Sequence, residues 1–452
     1  MERTIEDYVR GLGLDAYLVG GAVRDELLGL ESKDADFLVP GVDHAGLRAA
    51  LAPHGRVEDL EVGGQLVGVR LHPRERELRA LAPAGIEFAP PRVERSTGPG
   101  RHDFVIVADA SIPVEEDMAR RDFTVNAIAR RLATGELVDP FDGEADLRRG
   151  VLRTVSPRSF EEDPLRLVRG LRLVSELGLE PDEQTRRQMH EHAPAIRHVS
   201  GERIGGGLRA DGQGELSKLL LGREPARALR LARDTGVLVE MLPEFGPALG
   251  FDQQSERQHL PLDEHIFAVV QAATDAGEWL AVRMAALLHD LGKPLDPGPL
   301  EHAARGARIA GQVLRRLRYP TRLRRRVTAI VREHPFRIET DDPVAARRFL
   351  REHGDELAFD LAAHREADLA GKAVTQEERD RAATFRALLE QERSSPHRLG
   401  DLAVDGSDLL GLGYREGPEL GRTLEVLLDG VVEDPGSNTR EVLLERARER
   451  LA

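Results

Sequence analysis

The spacing of apolar residues changes near residue 160, and this change limits what the chain can fold into. Between residues 15 and 150, short apolar runs such as AYLVGG, ADFLVPG and FVIVAD alternate with glycine-rich turns, which is typical of a small mixed α/β domain. From about residue 160 onward the strand pattern stops and apolar residues recur at helical spacing. The sequence therefore predicts an α/β head followed by an all-α body.

Composition excludes several classes of protein. The 452 residues exceed one ordinary core, so we expect several domains. The chain contains no cysteine, which excludes disulfides, thiolate zinc sites and a cysteine nucleophile. No apolar run approaches the roughly 20 residues that cross a bilayer, and MERTIEDYVR lacks signal-peptide character. We therefore expect a cytoplasmic protein with no membrane partner.

Arginine is concentrated in two places although the formal net charge is −15. One cluster lies at 315–326 and the other at 148–172. The net charge disfavours nucleic acid over the whole surface, but a local arginine face can still bind phosphates. For the cluster at 315–326 a solvated helix face is the favoured interpretation. The cluster at 148–172 accompanies the motifs described below.

A strand, a glycine turn and a helix follow one another early in the head. Residues 17–19 are predicted to form a buried strand, Gly20 and Gly21 a tight turn, and residues 23–28 the start of a helix. Free backbone N–H groups and the helix dipole favour an anion there. Arg24 in the first helical turn can reach a triphosphate. A glycine pair by itself is more often only a turn.

Two carboxylates follow in the segment KDADFLV. Alternate side chains of a strand share a face, so Asp34 and Asp36 are expected to point the same way, with Ala35 and Phe37 in the core. Adjacent carboxylates repel unless a cation lies between them, and oxygen ligands suit Mg²⁺. Such a pair supports two-metal phosphoryl transfer. A lone DxD also occurs on solvated edges, but its place one helix after a phosphate-type turn favours catalysis.

Five motifs occur in the order LVGGAVRDELLG, KDADFLVPG, RRDFTVNAIA, DPFDG and EEDPLRLVRGLRL. In this order and spacing they resemble the bacterial tRNA nucleotidyltransferase and poly(A) polymerase family, through about residue 245. The resemblance implies a polymerase-beta-like head with a mixed sheet. It also implies template-independent addition of CCA, from CTP and ATP with Mg²⁺, to the 3′ end of tRNA.

The same resemblance implies roles for residues of the head. Asp34 and Asp36 would be the catalytic carboxylates that hold the metal. The segment 91–104 matches a loop that the family needs for adding A, and because it is intact, full CCA addition is favoured over CC-only addition. Four residues would contact the triphosphate or the nucleotide, namely Gly21, Arg24, Arg121 and Asp122.

A helix predicted to begin near residue 163 carries candidates for choosing the nucleotide. Its acidic first turn and Pro164 favour a helix start, and an apolar stripe follows. Asp163 and Arg166 would be helical neighbours that present an acceptor and donors to one base edge. In the family the matching residues select C and A. Arg169 and Arg172, opposite the apolar stripe, would support the site.

Histidines with metal-ligand spacing mark the second half. An adjacent His-Asp pair offers neighbouring imidazole and carboxylate ligands, and the half resembles an HD phosphohydrolase domain. Imidazoles suit a transition ion such as Mn, Ni, Co or Fe, and the implied activity is that of a phosphatase or phosphodiesterase. A vestigial site without turnover is the alternative. The resemblance implies a first metal set and a second pair, namely His265, His289, Asp290 and Asp368, then His302 and His334.

Four domains are expected from these motifs, and alternatives to the leading function remain. Within the same class, the chain could be a poly(A) polymerase or add only CC or only A. In another class, it could be an HD phosphohydrolase with an RNA-binding head, or an RNA-binding protein without catalysis; the intact DxD pair disfavours both. The expected domains are a nucleotidyltransferase head at 1–150, a helical neck at 151–250, an HD domain at 251–375 and a C-terminal helical region at 376–452.

Two segments depart from the family pattern. Residues 63–73 are more apolar than the stretch expected there, and residues 205–214 are unusually rich in glycine. Both bear on substrate detail rather than on the reaction class. The oligomeric state does not follow from the sequence.

Overall fold

The computed structural model describes residues 4–31, 36–62, 64–96, 104–206, 213–295, 299–338 and 342–451. The chain forms two compact units that divide between Pro243 and Glu244. All strands among the described residues belong to the first unit, and the described part of the second unit is helical. This arrangement agrees with the predicted α/β head and all-α body.

A mixed sheet of seven strands forms the head, in the order β3-β4-β5-β2-β1-β8-β9. β2 and β5 are parallel, whereas the other neighbours pair antiparallel. The strands are β1 Tyr17–Val19, β2 Asp36–Leu38, β3 Gly55–Val62, β4 Gln65–Pro73, β5 Ile86–Ala89, β6 Arg92–Ser96, β7 Phe104–Ala108, β8 Ala129–Arg131, β9 Leu137–Val138, β10 Val151–Leu152 and β11 Glu180–Pro181.

The centre of the sheet is apolar. Phe37 of β2 and Phe88 of β5 face each other across the parallel pair and stack with their ring centroids 5.6 Å apart. The unusually apolar segment 63–73 contains the whole of β4, where Val69 and Leu71 are fully buried. Because β4 lies inside the sheet, between β3 and β5, an apolar sequence fits there.

The helices of the first unit position the loops of the head. The helix predicted at residues 23–28 begins earlier, at Gly21. The helices of the first unit are α1 Ile5–Arg10, α2 Gly21–Leu27, α3 His44–Leu51, α4 Arg76–Leu81, α5 Val114–Ala119, α6 Gly143–Arg149, α7 Ser159–Glu162, α8 Leu165–Leu177, α9 Glu183–His192, α10 Gly201–Gly205, α11 Glu215–Leu221, α12 Pro225–Asp234 and α13 Val237–Met241.

Two short features were not anticipated from the sequence. β11 pairs parallel with β10, so the expectation that strands end near residue 160 is wrong at this point, because a two-residue strand has no detectable period. The segment 91–104 begins with β6, which pairs antiparallel with β7. Its residues 97–103 lie outside the described residues, as do residues 207–212 of the glycine-rich stretch.

The second unit is built around a buried helix, α15, which packs against α14, α16, α17 and α19. No described helix is both long and apolar enough to cross a membrane. The helices are α14 Leu262–Asp275, α15 Leu280–Leu288, α16 Pro299–Arg316, α17 Thr321–Glu333, α18 Pro343–His353, α19 Asp355–Ala370, α20 Gln376–Glu392, α21 Gly406–Gly411, α22 Pro418–Glu433 and α23 Arg440–Leu451.

Six short 3-10 helices complete the described secondary structure, at Ala52–His54, Thr124–Asn126, Ala193–His198, Pro243–Ala248, Leu399–Asp401 and Pro435–Ser437. The arginine cluster at 315–326 lies where α16 ends and α17 begins. Arg315, Arg318, Arg322 and Arg325 are exposed there, in agreement with a solvated helix face.

Candidate nucleotide site and metal centre

The turn between β1 and α2 requires glycine at its first position. Gly20 has a φ of 72°, a conformation that side chains disfavour, and a Cβ there would lie 2.6 Å from Nη1 of Arg121. Arg121 also donates from Nη1 to the carbonyl of Asn126 at 3.3 Å. The guanidinium of Arg121 is therefore held against the predicted phosphate-binding turn. Gly21 is the first residue of α2, with the guanidinium of Arg24 close above it.

A line of hydrogen bonds runs from α2 to α8. Arg24 donates from Nη1 to Oδ1 of Asn126 at 2.7 Å, and Asn126 donates from Nδ2 to Oδ1 of Asp122 at 3.0 Å. The other carboxylate oxygen of Asp122 accepts a hydrogen bond from Nε of Arg169 at 2.8 Å. The structure thus brings together Arg24, Asp122 and Arg169, three predicted residues that lie far apart in the sequence. We call this line the Arg24–Arg169 network.

The Arg24–Arg169 network has fixed charges. Burial by itself raises the pKa of Asp122, but the Arg169 guanidinium and the Asn126 amide outweigh burial and hold that pKa well below its usual range. Asp122 in turn raises the pKa of Arg169. α8 can pack closely against Phe123 because Gly170 of α8 has no side chain; a Cβ there would lie 2.9 Å from Cζ of Phe123. This close packing places the ion pair of Asp122 and Arg169 near the turn between β1 and α2.

Asp36 is exposed at the start of β2, and Phe37 beside it is buried, so this part of the predicted alternation is confirmed. Asp34 lies outside the described residues. Across the parallel pair, Asp36 is in register with Glu87 of β5. Glu87 accepts from Nε of Arg70 at 3.1 Å, and both Glu87 and Asp36 raise the pKa of Arg70. A second carboxylate and a counter-cation therefore accompany Asp36.

Asp163 does not form the predicted helical pair with Arg166. Asp163 is extended, with a φ of −147°, between α7 and α8, so the spacing rule for neighbours on one helix does not apply to it. Both oxygens of its carboxylate accept hydrogen bonds from Arg203 of α10, at 3.0 and 2.6 Å. Asp163 remains a quarter exposed. Its carboxylate is thus held in one orientation by a partner from another helix.

Arg166 is bonded to protein acceptors on several sides. Nη2 donates to the carbonyl of Arg120 at 2.6 Å, and Nη1 donates to Oγ of Ser159 at 3.1 Å and to Glu162 at 3.0 Å. The side chain is only 11% exposed. Arg166 therefore ties α8 to the RRDF segment as well as standing near Asp163.

Arg169 and Arg172, which the helical spacing places opposite the apolar stripe of α8, are partly exposed. α8 packs on several sides, and both arginines meet the buried carboxylate of Glu215, at 3.7 Å for Arg169 and 3.2 Å for Arg172. A buried carboxylate needs a counter-charge, and the two arginines supply it to Glu215 of α11. The supporting role expected for the two residues agrees with this position.

The six predicted ligands of the second unit converge at one place. Each is buried, and five helices or helix ends carry them. Their atoms fall into two groups whose members lie within 4.8 Å of one another, namely His265, His289 and Asp368, and Asp290, His302 and His334. We call this cluster the HD centre.

Asp290 joins the two groups of the HD centre. Its Oδ2 lies 3.0 Å from Nε2 of His289 and 3.5 Å from Nε2 of His265. Its Oδ1 lies 3.4 Å from Nε2 of His302 and 3.5 Å from Nε2 of His334. Ligand atoms about 2.1 Å from one metal are about 3.0 to 3.4 Å apart. The spacing therefore fits metal ions, which Asp290 and the surrounding imidazoles would hold.

The orientation of the imidazoles also fits metal ligation. Nδ1 of His265, His289 and His334 lies 3.0, 2.9 and 2.7 Å from a backbone carbonyl. A carbonyl only accepts, so Nδ1 carries the hydrogen and the lone pair of Nε2 points inward. The buried Nε2 atoms of His265 and His289 and Oδ1 of Asp290 make no hydrogen bond, whereas Oδ2 of Asp290 is paired with Lys293 at 2.6 Å. Atoms left in this way are suited to a cation.

Electrostatics in the HD centre favour ionised carboxylates. Burial alone raises the pKa of Asp290 and of Asp368, but His289 and Lys293 beside Asp290, and Lys372 beside Asp368, hold both values well below the usual range. Burial lowers the pKa of His265, yet the Asp290 and Asp368 carboxylates outweigh it and raise that pKa to about 9. Burial lowers the pKa of His289. The carboxylates thus attract a cation, which in the metal-free protein is a proton.

Several residues that support the sites were not identified from the sequence. Asn126 could have been found within RRDFTVNA, four residues after Asp122. Glu87, Arg203 and Glu215 carry no local motif, because only the folded chain brings them to their partners. His364, also missed, is buried in the HD centre with its ring centroid 5.0 Å from that of His289. It precedes Asp368 by one helical turn, and that spacing was an available clue.

Known proteins share these domains. Residues 16–153 match the poly A polymerase head domain, residues 178–249 the probable RNA- and SrmB-binding site of polymerase A, and residues 262–384 the HD domain. The first match spans Gly21, Arg24, Asp36 and Asp122 of the head but ends before α8. The third spans all six predicted ligands of the HD centre.

Curated relatives match over most of their length. A multifunctional CCA protein of Azoarcus sp. (strain BH72) is 37% identical over 328 residues, covering 70% of this chain and 73% of the relative. A multifunctional CCA protein of Xanthomonas campestris pv. campestris (strain B100) is 35% identical over 434 residues, covering 90% of this chain and 95% of the relative. The similarity therefore extends through both units.

Solved structures agree. The Bacillus stearothermophilus CCA-adding enzyme in complex with CTP superposes with a TM-score of 0.68 at 26% identity, over 98% of this chain and 95% of that one. The Thermotoga maritima CCA-adding enzyme complexed with tRNA shares the fold, with a TM-score of 0.61 at 18% identity over 100% and 97% of the two chains. The chain belongs to the family of multifunctional CCA proteins, nucleotidyltransferases that carry a poly A polymerase head and an HD domain.

Proposed function

We propose that the first unit adds C, C and A to the 3′ end of tRNA, using CTP and ATP. The observation that carries this proposal is the Arg24–Arg169 network, which joins the glycine turn to α8 beside the strand of Asp36. It offers cations for a triphosphate and a fixed carboxylate in one place. Relatives solved with CTP, with ATP and with tRNA support these substrates.

The carboxylates of the head are proposed to hold Mg²⁺. Asp36 with its neighbour Glu87 forms an all-oxygen donor set, which suits that ion, and Asp34 is expected to complete it. When bound, the metal would supply charge stabilisation for the attacking 3′ hydroxyl and the leaving pyrophosphate. The Arg70 guanidinium offsets the negative charge of these carboxylates, and it has to be displaced from Glu87 if Glu87 is to bind the metal.

Choice of the nucleotide is assigned to Asp163 and Arg166, supported by Arg169 and Arg172. Arg203 holds the Asp163 carboxylate in place, so an acceptor is presented without a flexible side chain. Arg166 fixes the segment between α7 and α8 through Arg120 and Ser159. A base edge that matches the held acceptor and donors binds, and an edge that leaves them unpaired is rejected.

A direct test gives the purified protein a tRNA transcript that ends before CCA, with each labelled nucleoside triphosphate alone and then CTP with ATP. We expect two C residues with CTP, one A only after CC, and no extension with GTP or UTP. Long A tails would instead indicate a poly(A) polymerase. A product that stops at CC would contradict full CCA addition and the role given to residues 91–104.

A second activity, metal-dependent phosphohydrolysis, is proposed for the HD centre. The bridging position of Asp290 between two groups of inward-pointing imidazoles carries this proposal. The donor set suits a transition ion such as Mn²⁺, Ni²⁺, Co²⁺ or Fe²⁺, which would polarise a phosphate ester when bound. Lys293, 2.6 Å from Oδ2 of Asp290, balances the carboxylate and provides a donor at the same place.

Hydrolysis is tested with bis-p-nitrophenyl phosphate, p-nitrophenyl phosphate and 2′,3′-cyclic AMP, each with one of the four ions. Release of product that depends on a transition ion is the expected result. A protein that binds metal but hydrolyses none of the three would have a vestigial centre.

The four expected domains, with a head at 1–150 and an HD domain at 251–375, can be checked by limited proteolysis, and the cytoplasmic location by cell fractionation.

A further inference from the structure

A fifth histidine lies inside the HD centre and is not among its six predicted ligands. His364 is on α19, four residues before Asp368, so the two side chains lie on the same face of that helix. The centroid of its ring is 5.0 Å from that of His289 and 5.7 Å from that of His334. His364 therefore stands beside one imidazole from each of the two groups of donor atoms.

The ring of His364 has no hydrogen-bond partner in the described part of the chain. The residue is 1% exposed, and neither ring nitrogen makes a hydrogen bond. His397, 2% exposed in the same unit, shows the usual solution, with Nδ1 at 2.6 Å from the carbonyl of Ser395 and Nε2 at 2.7 Å from Asp355. An unpaired buried polar group costs about 1–3 kcal/mol. A partner that is not part of the polypeptide would remove this cost.

The two ions of the HD centre would have unequal donor sets. Four atoms surround the first position, namely Nε2 of His265, Nε2 of His289, Oδ2 of Asp290 and Oδ1 of Asp368. Among the described residues, three surround the second, namely Oδ1 of Asp290 and Nε2 of His302 and of His334. The second position therefore has room for one more protein ligand.

Spacing and freedom of rotation make His364 that ligand. Imidazoles of one group are 5.4 Å apart for His265 and His289, and 5.2 Å apart for His302 and His334, centroid to centroid. His364 lies at a similar distance from His334. It is not among the donor atoms within 4.8 Å of one another, but no hydrogen bond holds its ring, and the torsion about the Cβ–Cγ bond of a histidine has a broad preference.

We propose that His364 is a ligand of the second metal ion, completing a set with Asp290, His302 and His334. The proposal rests on the metal-dependent HD centre proposed above and adds a residue to it. A four-ligand second site would hold its ion nearly as firmly as the first. A three-ligand site would hold it more weakly and keep one coordination place open, as catalytic metal sites do.

The test measures Mn²⁺ binding to the full-length protein rather than activity. Metal-free wild type, H364Q, H302A and H397Q are titrated with Mn²⁺ in the presence of excess Mg²⁺, which occupies the carboxylate site of the head but binds imidazoles poorly, and free Mn²⁺ is followed by electron paramagnetic resonance. We expect two ions in wild type, with the signature of a coupled pair. In H364Q and H302A the first ion should remain, while the second binds at least about ten-fold more weakly. H397Q, which changes a buried histidine away from the centre, should bind like wild type.

Each result decides the proposal. Two equally tight ions in H364Q would overturn it, and so would a wild type that binds a single ion, although a one-ion HD centre would still allow hydrolysis. A wild type that binds no Mn²⁺ would overturn both the proposal and the metal-dependent HD centre. Folding of each variant is judged by circular dichroism and by its thermal transition, because CCA addition reports on the first unit. If H364Q does not fold, a crystal of wild type loaded with Mn²⁺ shows by anomalous scattering whether His364 lies at bonding distance from the second ion.

Discussion

The two candidate metal sites of this chain lie in opposite surroundings. Asp36 is exposed at a strand end, with Glu87 and Arg70 beside it. The HD centre is buried, with each of its six predicted ligands at most 6% exposed. An open carboxylate site can receive a metal together with a triphosphate and release both with the product. A closed imidazole site holds its ion as part of the fold.

This contrast predicts that each site can be inactivated by substitution without loss of activity at the other. The largest loss of activity is expected from a substitution in the head. Asp36→Asn removes one charge from the metal site without touching the apolar core, so we expect at least about a 1000-fold loss of CMP incorporation. Asp59→Asn is the matched control, since Asp59 is an exposed carboxylate of the same sheet that pairs with Arg48. Near-normal incorporation by Asp36→Asn would remove Asp36 from the metal site. Circular dichroism should show an unchanged fold.

Loss of the HD centre should have the reverse effect. His289→Ala with Asp290→Ala deletes the bridge and one imidazole, so hydrolysis should fall to background while CCA addition stays within about two-fold of wild type. Metal binding stabilises the state that binds it, so the thermal transition of metal-loaded protein should also fall. Loss of CCA addition in this double variant while it remains folded would show that the two sites are not independent.

Metal exchange tests the same contrast without mutation. After dialysis against EDTA, Mg²⁺ should restore CCA addition but little hydrolysis, because imidazoles bind Mg²⁺ poorly. Mn²⁺, Ni²⁺ or Co²⁺ should restore hydrolysis. Recovery of both activities by Mg²⁺ alone, with equal concentration dependence, would mean that the two sites do not differ in the way their ligands predict. Parallel assays of one sample at several ion concentrations provide the measurement.

A smaller effect is expected for nucleotide choice. Arg166→Ala should lower the preference for CTP over UTP by about 10- to 100-fold in kcat/KM, since a lost hydrogen-bonded contact is worth a few kcal/mol at most. Arg158→Ala is the control, because Arg158 is a largely exposed arginine of the same region. If the variant is slower but equally selective, Arg166 acts through the positions of Arg120 and Ser159, and selection lies elsewhere.

The smallest effect concerns stability. Asp122→Asn keeps the shape of the side chain but removes the charge that faces Arg169, and we expect the free energy of unfolding to fall by about 1–2 kcal/mol. This is less than the 3–5 kcal/mol typical of a fully buried pair, because Arg169 is about a third exposed. Urea unfolding of Asp122→Asn, Arg169→Gln and the double variant gives the coupling. Additive effects would mean that the pair contributes nothing as a pair.

The sequence determined the division of the chain, the reaction class and most of the candidate ligands. Glycine turns, strand alternation and the order of five motifs are local features, and local features survive without a tertiary structure. His265, His289, Asp290, His302, His334 and Asp368 were predicted as a set and converge in one buried centre. The mixed sheet around Asp36 was likewise predictable from resemblance and alternation.

Only the tertiary structure decided which partner each charge meets. Asp163 was expected beside Arg166 but is held by Arg203, because α8 begins at Leu165 and leaves Asp163 outside the helix. Glu87 is in register with Asp36 through a parallel strand pair, which no local period specifies. Buried ions require counter-charges, and the chain supplies them from segments far away in sequence. Their identity therefore depends on packing, which a single sequence does not encode locally.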